Sequence, residues 1–147
     1  MSTDPRNVII ARISAGLTDM LGAVGAHAAM RDSGRTTSDF LWTDWPSNLS
    51  ADEACGLLSE ALAHIGVFSA VQLKPDGDNI AIQVQGCEFS RLGNFENAAI
   101  GDRSVCFFGF GLIERSLERL TSQRFRVSLE RRDEASDTCF EVAKLRH

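Results

Sequence analysis

A helix pattern running straight into two alternating strands occurs twice in this chain, at about residues 51–86 and 104–145. Few folds accept that unit. Strands joined by a short turn pair antiparallel, and a sheet with one apolar face must cover it with helices. A further helical pattern precedes both units, giving the order helix, helix, strand, strand, helix, strand, strand. That order implies an α+β fold, a two-layer helix/antiparallel-sheet domain (ααββαββ) spanning 1–147 as one unit. With 147 residues, 44% hydrophobic and 24% charged, the chain can bury one good core.

From Asn7 to Asp32 the residues Ile9, Ile10, Ile13, Leu17, Met20, Leu21, Val24 and Ala28 recur at helical spacing. Gly16, Gly22 and Gly25 interrupt them. Each costs about 1 kcal/mol against Ala in a helix interior, so they weaken the helix or mark close approach of another. Ser33-Gly34 is the expected stop. Residues 35–49 read as irregular and carry Trp42 and Trp45. Ser50-Ala-Asp-Glu53 is a capping box opening a second helix, with Ala54, Leu57, Leu58, Ala61, Leu62 and Ile65 inward and Gly66 closing it. A strand is expected over Val67–Lys74, a turn at Pro75–Asp78, and a return strand over Asn79–Gly86 in which Ile80, Ile82 and Val84 alternate with Ala81, Gln83 and Gln85. Residues 87–103 form a long loop, a length often found in lids. The third helix follows through Leu120, then strands at 124–130 and around 139–142, with Phe125, Val127 and Leu129 on one face.

A net charge of −5, with no basic run longer than two residues, argues against a nucleic-acid partner. The longest apolar runs fall far short of the roughly 20 residues of a span, so no membrane insertion is expected. The first six residues lack a cationic segment leading into an apolar one, and the four cysteines are widely spaced. Both features imply a cytoplasmic chain with reduced, mostly buried thiols. No nucleophile elbow, phosphate-binding glycine loop or Cys-x-x-Cys occurs, so no enzymatic activity is expected. His27 and His64 fall near expected helix C-termini, where the dipole favours them. Glu114 and Glu118, flanked by Arg115 and Arg119, read as a solvated helix face. Gly109-Phe-Gly111 lies inside a helix pattern and reads as close helix packing.

The aromatic residues are the remaining candidates. Trp42, Trp45, Phe89, Phe95, Phe107 and Phe110 sit in loops or at the start of the third helix. They either fill the core or line a pocket between helices and sheet that suits a small hydrophobic molecule. Phe107 and Phe110 share a helix face; Phe108 points elsewhere, toward a second apolar partner or a subunit interface.

The block from Cys106 through Gly109 and Gly111 to Cys139-Phe-Glu-Val142, with Gly34-Arg35, Ile65-Gly66 and the central hairpin, resembles the 4-vinyl reductase domain family of small-molecule-binding modules. That family shares its architecture with the TRAPP trafficking subunits. The size and the helix–hairpin order are also similar to the D subunit of bacterial cellulose synthase, a structural oligomer. The first resemblance implies a non-catalytic binding module or accessory subunit that holds a small, mainly hydrophobic ligand and pairs through its helices. The second implies a scaffold without a ligand. Either implies a homodimer or higher homo-oligomer, with the glycine-punctuated first helix as the surface. Zinc-binding members of the 4-vinyl reductase family use cysteines of this block and a glutamate. Here Cys106 and Cys139 remain as weak candidates, Arg131 and Ser128 occupy the other positions, and Glu130, Asp133 or Glu134 could complete a site although nothing requires it. Two thiolates fall short of a tetrahedral zinc site, so no metal or cofactor is expected.

Overall fold

The computed structural model describes residues 4–147. Its elements are α1 (Pro5–Leu41), α2 (Ala51–His64), β1 (Ala70–Asp76), β2 (Asn79–Gln85), α3 (Ser104–Thr121), β3 (Arg124–Asp133) and β4 (Thr138–Arg146), with a short 3-10 turn at Glu88–Arg91. The four strands form one antiparallel sheet in the order β1-β2-β4-β3. Each hairpin of the sequence repeat supplies half of it, and β2 and β4 join the halves. The expected α+β architecture is therefore present, with β1 starting three residues later than expected and β3 and β4 extending further.

The sheet register follows the pleat. Ile80, Ile82 and Val84 face the helices and pair with Ala143, Glu141 and Cys139 on β4. Phe125 and Val127 on β3 face the same way, opposite Leu145 and Ala143. This face packs on Leu58 and Leu62 of α2 and on Ile113, Leu117 and Leu120 of α3 to form the main core. The capping box is in place: Ser50 Oγ accepts from the Glu53 amide at 3.2 Å and donates to its carboxylate at 2.9 Å.

The first helix departs from expectation in three ways. It does not stop at Ser33-Gly34 but continues to Leu41, so residues 35–41 are helical rather than irregular. The reason is packing. Gly34 faces α3, where a Cβ would collide with the Phe108 carbonyl, and Gly111 of α3 meets the Arg31 carbonyl in the same way. These two glycines let the helix backbones touch, so Gly34 serves contact rather than termination. Second, Gly22 does not serve helix approach: its φ of 75° and ψ of 166° break the helix into two arms. Third, the apolar stripe points outward. Ile9, Ile13, Met20, Leu21 and Val24 are exposed, Met20 by 82% and Val24 by 84%, whereas the inward face is built from Ala11, Ser14, Ala15 and Ala26. Among the described residues, α1 alone is long and apolar enough to cross a membrane, although its apolar residues are dispersed rather than in one run. Its second arm carries the buried Arg31.

Glu114 and Glu118 also differ from expectation. Glu114 is 1% exposed and lies between helix and sheet rather than on a solvated face. Arg31 donates to its Oε2 and Arg35 donates to Oε1 at 3.1 Å, while Arg35 also pairs with Glu118. Glu114 Oε2 accepts from the Val127 amide at 2.9 Å, and Arg31 donates to the Val127 carbonyl at 3.1 Å. Because β3 is an edge strand, this ion pair satisfies backbone groups that would otherwise template another strand. At the other edge, Ser59 Oγ accepts from the Leu73 amide at 3.1 Å. The sequence spacing of Glu114 and Glu118 concealed this role, because the arginines that matter lie on α1.

Candidate functional site

The 87–103 segment lies across the start of α3 and is pinned at several points. Glu96 accepts from the Ser104 amide at 3.1 Å and so caps α3, and it also accepts from Ser14 at 3.2 Å and Thr18 at 2.5 Å on α1. Burial pushes the Glu96 carboxyl up, but the hydrogen bonds from Ser104, Thr18 and Ser14 outweigh it and hold the group below its ordinary value. Arg103 donates to the Ala98 and Leu92 carbonyls at 3.0 and 3.3 Å. His27 Nε2 donates to the Asp102 carbonyl at 2.8 Å, and its ring stacks on Phe107 at 3.8 Å. His27 is thus a mid-helix anchor for the loop, not a residue at a helix end. His64 does lie in the last turn of α2, where Nδ1 donates to the Glu60 carbonyl at 2.7 Å.

Beneath this segment is a cavity of about 30 Å³. Its walls are Phe89 and Ile100 from the segment, Cys106, Gly109, Phe110 and Ile113 from α3, and Val84, Leu129, Cys139 and Glu141 from the sheet, with Phe68, Cys87, Ser90 and Gly101 at its margins. That volume is enough for about one water. Gly109 faces it with nothing within 4 Å of where a Cβ would stand, unlike Gly111 two residues on. A mid-helix glycine costs about 1 kcal/mol against Ala, and no close contact requires this one.

Three of the four cysteines converge here. All four are free thiols. Burial pushes Cys87 up to about 12 and Cys106 to about 11, and it also raises Cys139, so all three are neutral at pH 7. Arg132 donates to Cys139 Sγ at 3.2 Å and pairs with Asp137 at 2.6 Å. Among the described residues no group of three or more His, Cys, Asp and Glu side chains is arranged to hold a metal ion.

Glu141 is the residue that sequence reasoning missed. It lies on the inner face of β4, paired with Ile82 on one side and Leu129 on the other. Its Oε1 is shielded from solvent and has no hydrogen-bond partner. Burial alone pushes its carboxyl up to about 8. Its alternation with Cys139 and Ala143 was a signal that it faces inward.

Of the six aromatic candidates, Phe89 and Phe110 line this cavity. Phe107 sits behind Phe110 at 5.2 Å, and Phe108 contacts Phe89 edge-on at 6.1 Å. Phe95 is 44% exposed under Arg12. Trp42 and Trp45 stack on each other at 4.3 Å at the far end of α3, where Arg119 donates to the Trp42 carbonyl.

This three-helix, four-strand arrangement is similar to that of a solved TRAPP subunit. The solved trafficking protein particle complex subunit 3 from Naegleria fowleri, covalently bound to palmitic acid, is similar to this chain over 97% of its length and 96% of that protein's, with 13% identity and a TM-score of 0.59. No family model and no curated protein matches the chain.

Proposed function

We propose that this chain is a non-catalytic binding module or accessory subunit that holds a small, mainly apolar ligand in the cavity between α3, the sheet and the 87–103 segment. The observation that carries this reading is the cavity itself: its walls are mostly apolar, a long loop closes it, and Gly109 leaves it open from the helix side. The solved neighbour bound to palmitic acid supports an apolar chain as occupant, and so does the resemblance to 4-vinyl reductase domains. Phe89 and Phe110 form the ligand contacts, Phe107 supports Phe110, and Trp42, Trp45 and Phe95 act outside this cavity. The free thiols suit a cytoplasmic location. Native mass spectrometry of freshly purified protein, repeated after denaturation, tests the reading. It is supported by a small apolar molecule that is lost on denaturation. A chain that stays empty when offered methyl decanoate rejects it.

The outward apolar stripe of α1 favours a second role, as an oligomeric or adaptor subunit that pairs through this helix. Exposed Met20 and Val24 are the residues to change, because a side chain at Gly22 would be strained at its positive φ. Met20→Glu with Val24→Glu is expected to halve the mass seen by light scattering. An unchanged mass rejects pairing through α1.

A further inference from the structure

We infer that Glu141 determines the specificity of this cavity: its carboxyl group, whose Oε1 is shielded from solvent and unpartnered, hydrogen-bonds the uncharged polar end of an otherwise apolar ligand, such as an ester or aldehyde carbonyl or an alcohol. This rests on the binding reading above and deepens it.

The register fixes the position. Glu141 occupies an inward site flanked by Ile82 and Leu129, where an apolar residue would complete the core. A buried polar group without a partner costs roughly 1–3 kcal/mol. Glu114, which is fully buried, receives bonds from Arg31, Arg35 and the Val127 amide, whereas the shielded Oε1 of the partly buried Glu141 receives none. Oε1 therefore has free hydrogen-bonding capacity beside a cavity.

The surroundings select the partner's chemistry. No Lys, Arg or His lines the cavity. The titratable groups facing Glu141 are Cys87 from the loop, Cys106 from α3 and Cys139 from β4, while β2 and β3 contribute Val84 and Leu129. With three neutral thiols and no cation lining the cavity, and with the Arg132 guanidinium behind Cys139 taken up by Asp137 and Glu134, burial favours the neutral carboxyl group, which offers both a donor and an acceptor. A ligand carboxylate would enter an apolar site with no counter-charge. The Ser90 hydroxyl directs its proton away from Glu141, toward the Cys87 carbonyl at 2.6 Å and Asp137 at 3.1 Å. A buried water makes about three hydrogen bonds, and Glu141 supplies the main partner here. The ligand's polar atom takes the place beside Glu141, and its apolar body displaces Phe89 and Ile100 of the 87–103 segment.

The test measures binding of methyl decanoate, 1-decanol and decanoate at pH 7 by displacement of Nile red, in wild type, Glu141→Gln and Glu141→Leu. The ester and the alcohol are expected to bind wild type roughly tenfold or more tightly than decanoate, the effect of about one hydrogen bond. Glu141→Gln keeps a neutral donor and retains the preference, whereas Glu141→Leu loses roughly tenfold for the ester. Raising the pH from 7 to 9 weakens ester binding in wild type and leaves it unchanged in Glu141→Gln. Circular dichroism establishes that each variant is folded, and the near-isosteric Glu141→Gln decides the matter if Glu141→Leu is not. Equal binding of all three probes, or undiminished ester binding by folded Glu141→Leu, overturns the inference and leaves the binding reading standing. Failure of every probe to bind wild type overturns both.

Discussion

Two carboxyl groups lie where the helices meet the sheet, Glu114 fully buried and Glu141 partly so, and their surroundings differ completely. Glu114 sits in a saturated seam: Arg31, Arg35 and the Val127 amide take up its oxygens, and the pair seals the β3 edge. Glu141 sits beside a cavity with Oε1 unpartnered, in apolar surroundings that favour its neutral form. The difference separates stability from function. A charge network satisfied on all sides locks α1, α3 and β3 together, and nothing remains for a ligand to do there. An acid left unpaired in the core is a cost to folding, of the kind expected at a site that awaits a partner.

The largest effect is expected at Glu114. Glu114→Gln leaves Arg31 buried without its counter-charge, which costs about 3–5 kcal/mol. Urea denaturation at pH 7 measures this, and a loss below about 1 kcal/mol would mean the seam is solvated and the contrast with Glu141 false.

Next comes the pH dependence at Glu141. Its folded pKa is raised from 4.5 to about 8, so between those values the folded chain keeps a proton that the unfolded chain releases. Stability contributed by this group therefore falls as pH rises through that window, by up to about 1.4 kcal/mol per pH unit, and levels off above it. Subtracting the pH–stability curve of Glu141→Gln isolates the slope. Parallel curves would mean that Glu141 titrates at the same pH in the folded and the unfolded chain.

Glu96 shows the opposite sign at the edge of the same site. Its folded pKa is lowered, so its stabilisation is present above its unfolded value and lost as pH falls through the folded one. Glu96→Ala removes the cap on the Ser104 amide and the ties to Ser14 and Thr18, at about 1–2 kcal/mol. Hydrogen exchange should show the 87–103 segment loosened while the seam stays protected.

The smallest effect is a gain. Gly109→Ala places a methyl group in open space on a helix, raising stability by up to about 1 kcal/mol in a thermal melt. Gly111→Ala at the neighbouring close contact is expected to lower it.

The sheet and its register were legible in the sequence because one buried face enforces strict alternation, as in Ile80, Ile82 and Val84. The capping box at Ser50 was equally plain. The first helix was not. Its apolar residues carry the helical period, but period alone does not say which face is covered, and here Ala11, Ala15 and Ala26 face inward so that α3 can come close. Gly34 looked like a stop because its contact with Phe108 is made by a residue far along the chain. For the same reason the partners of Glu114 were invisible. Of the site, Phe89 and Phe110 were among the aromatic candidates, and Cys106 and Cys139 stood out as a pair. Glu141 lay two residues beyond Cys139 in plain view, unremarkable until the inner face of β4 was seen to meet the cavity.

The most direct measurement is the thermal melt of wild type and Gly109→Leu with and without methyl decanoate. Leu at 109 projects into the cavity and fills it from the helix side. Wild type should melt at a higher temperature with the ester, and Gly109→Leu, folded by circular dichroism, should not respond. Equal shifts in both proteins would place ester binding elsewhere on the chain, and no shift in wild type would contradict the cavity as a binding site.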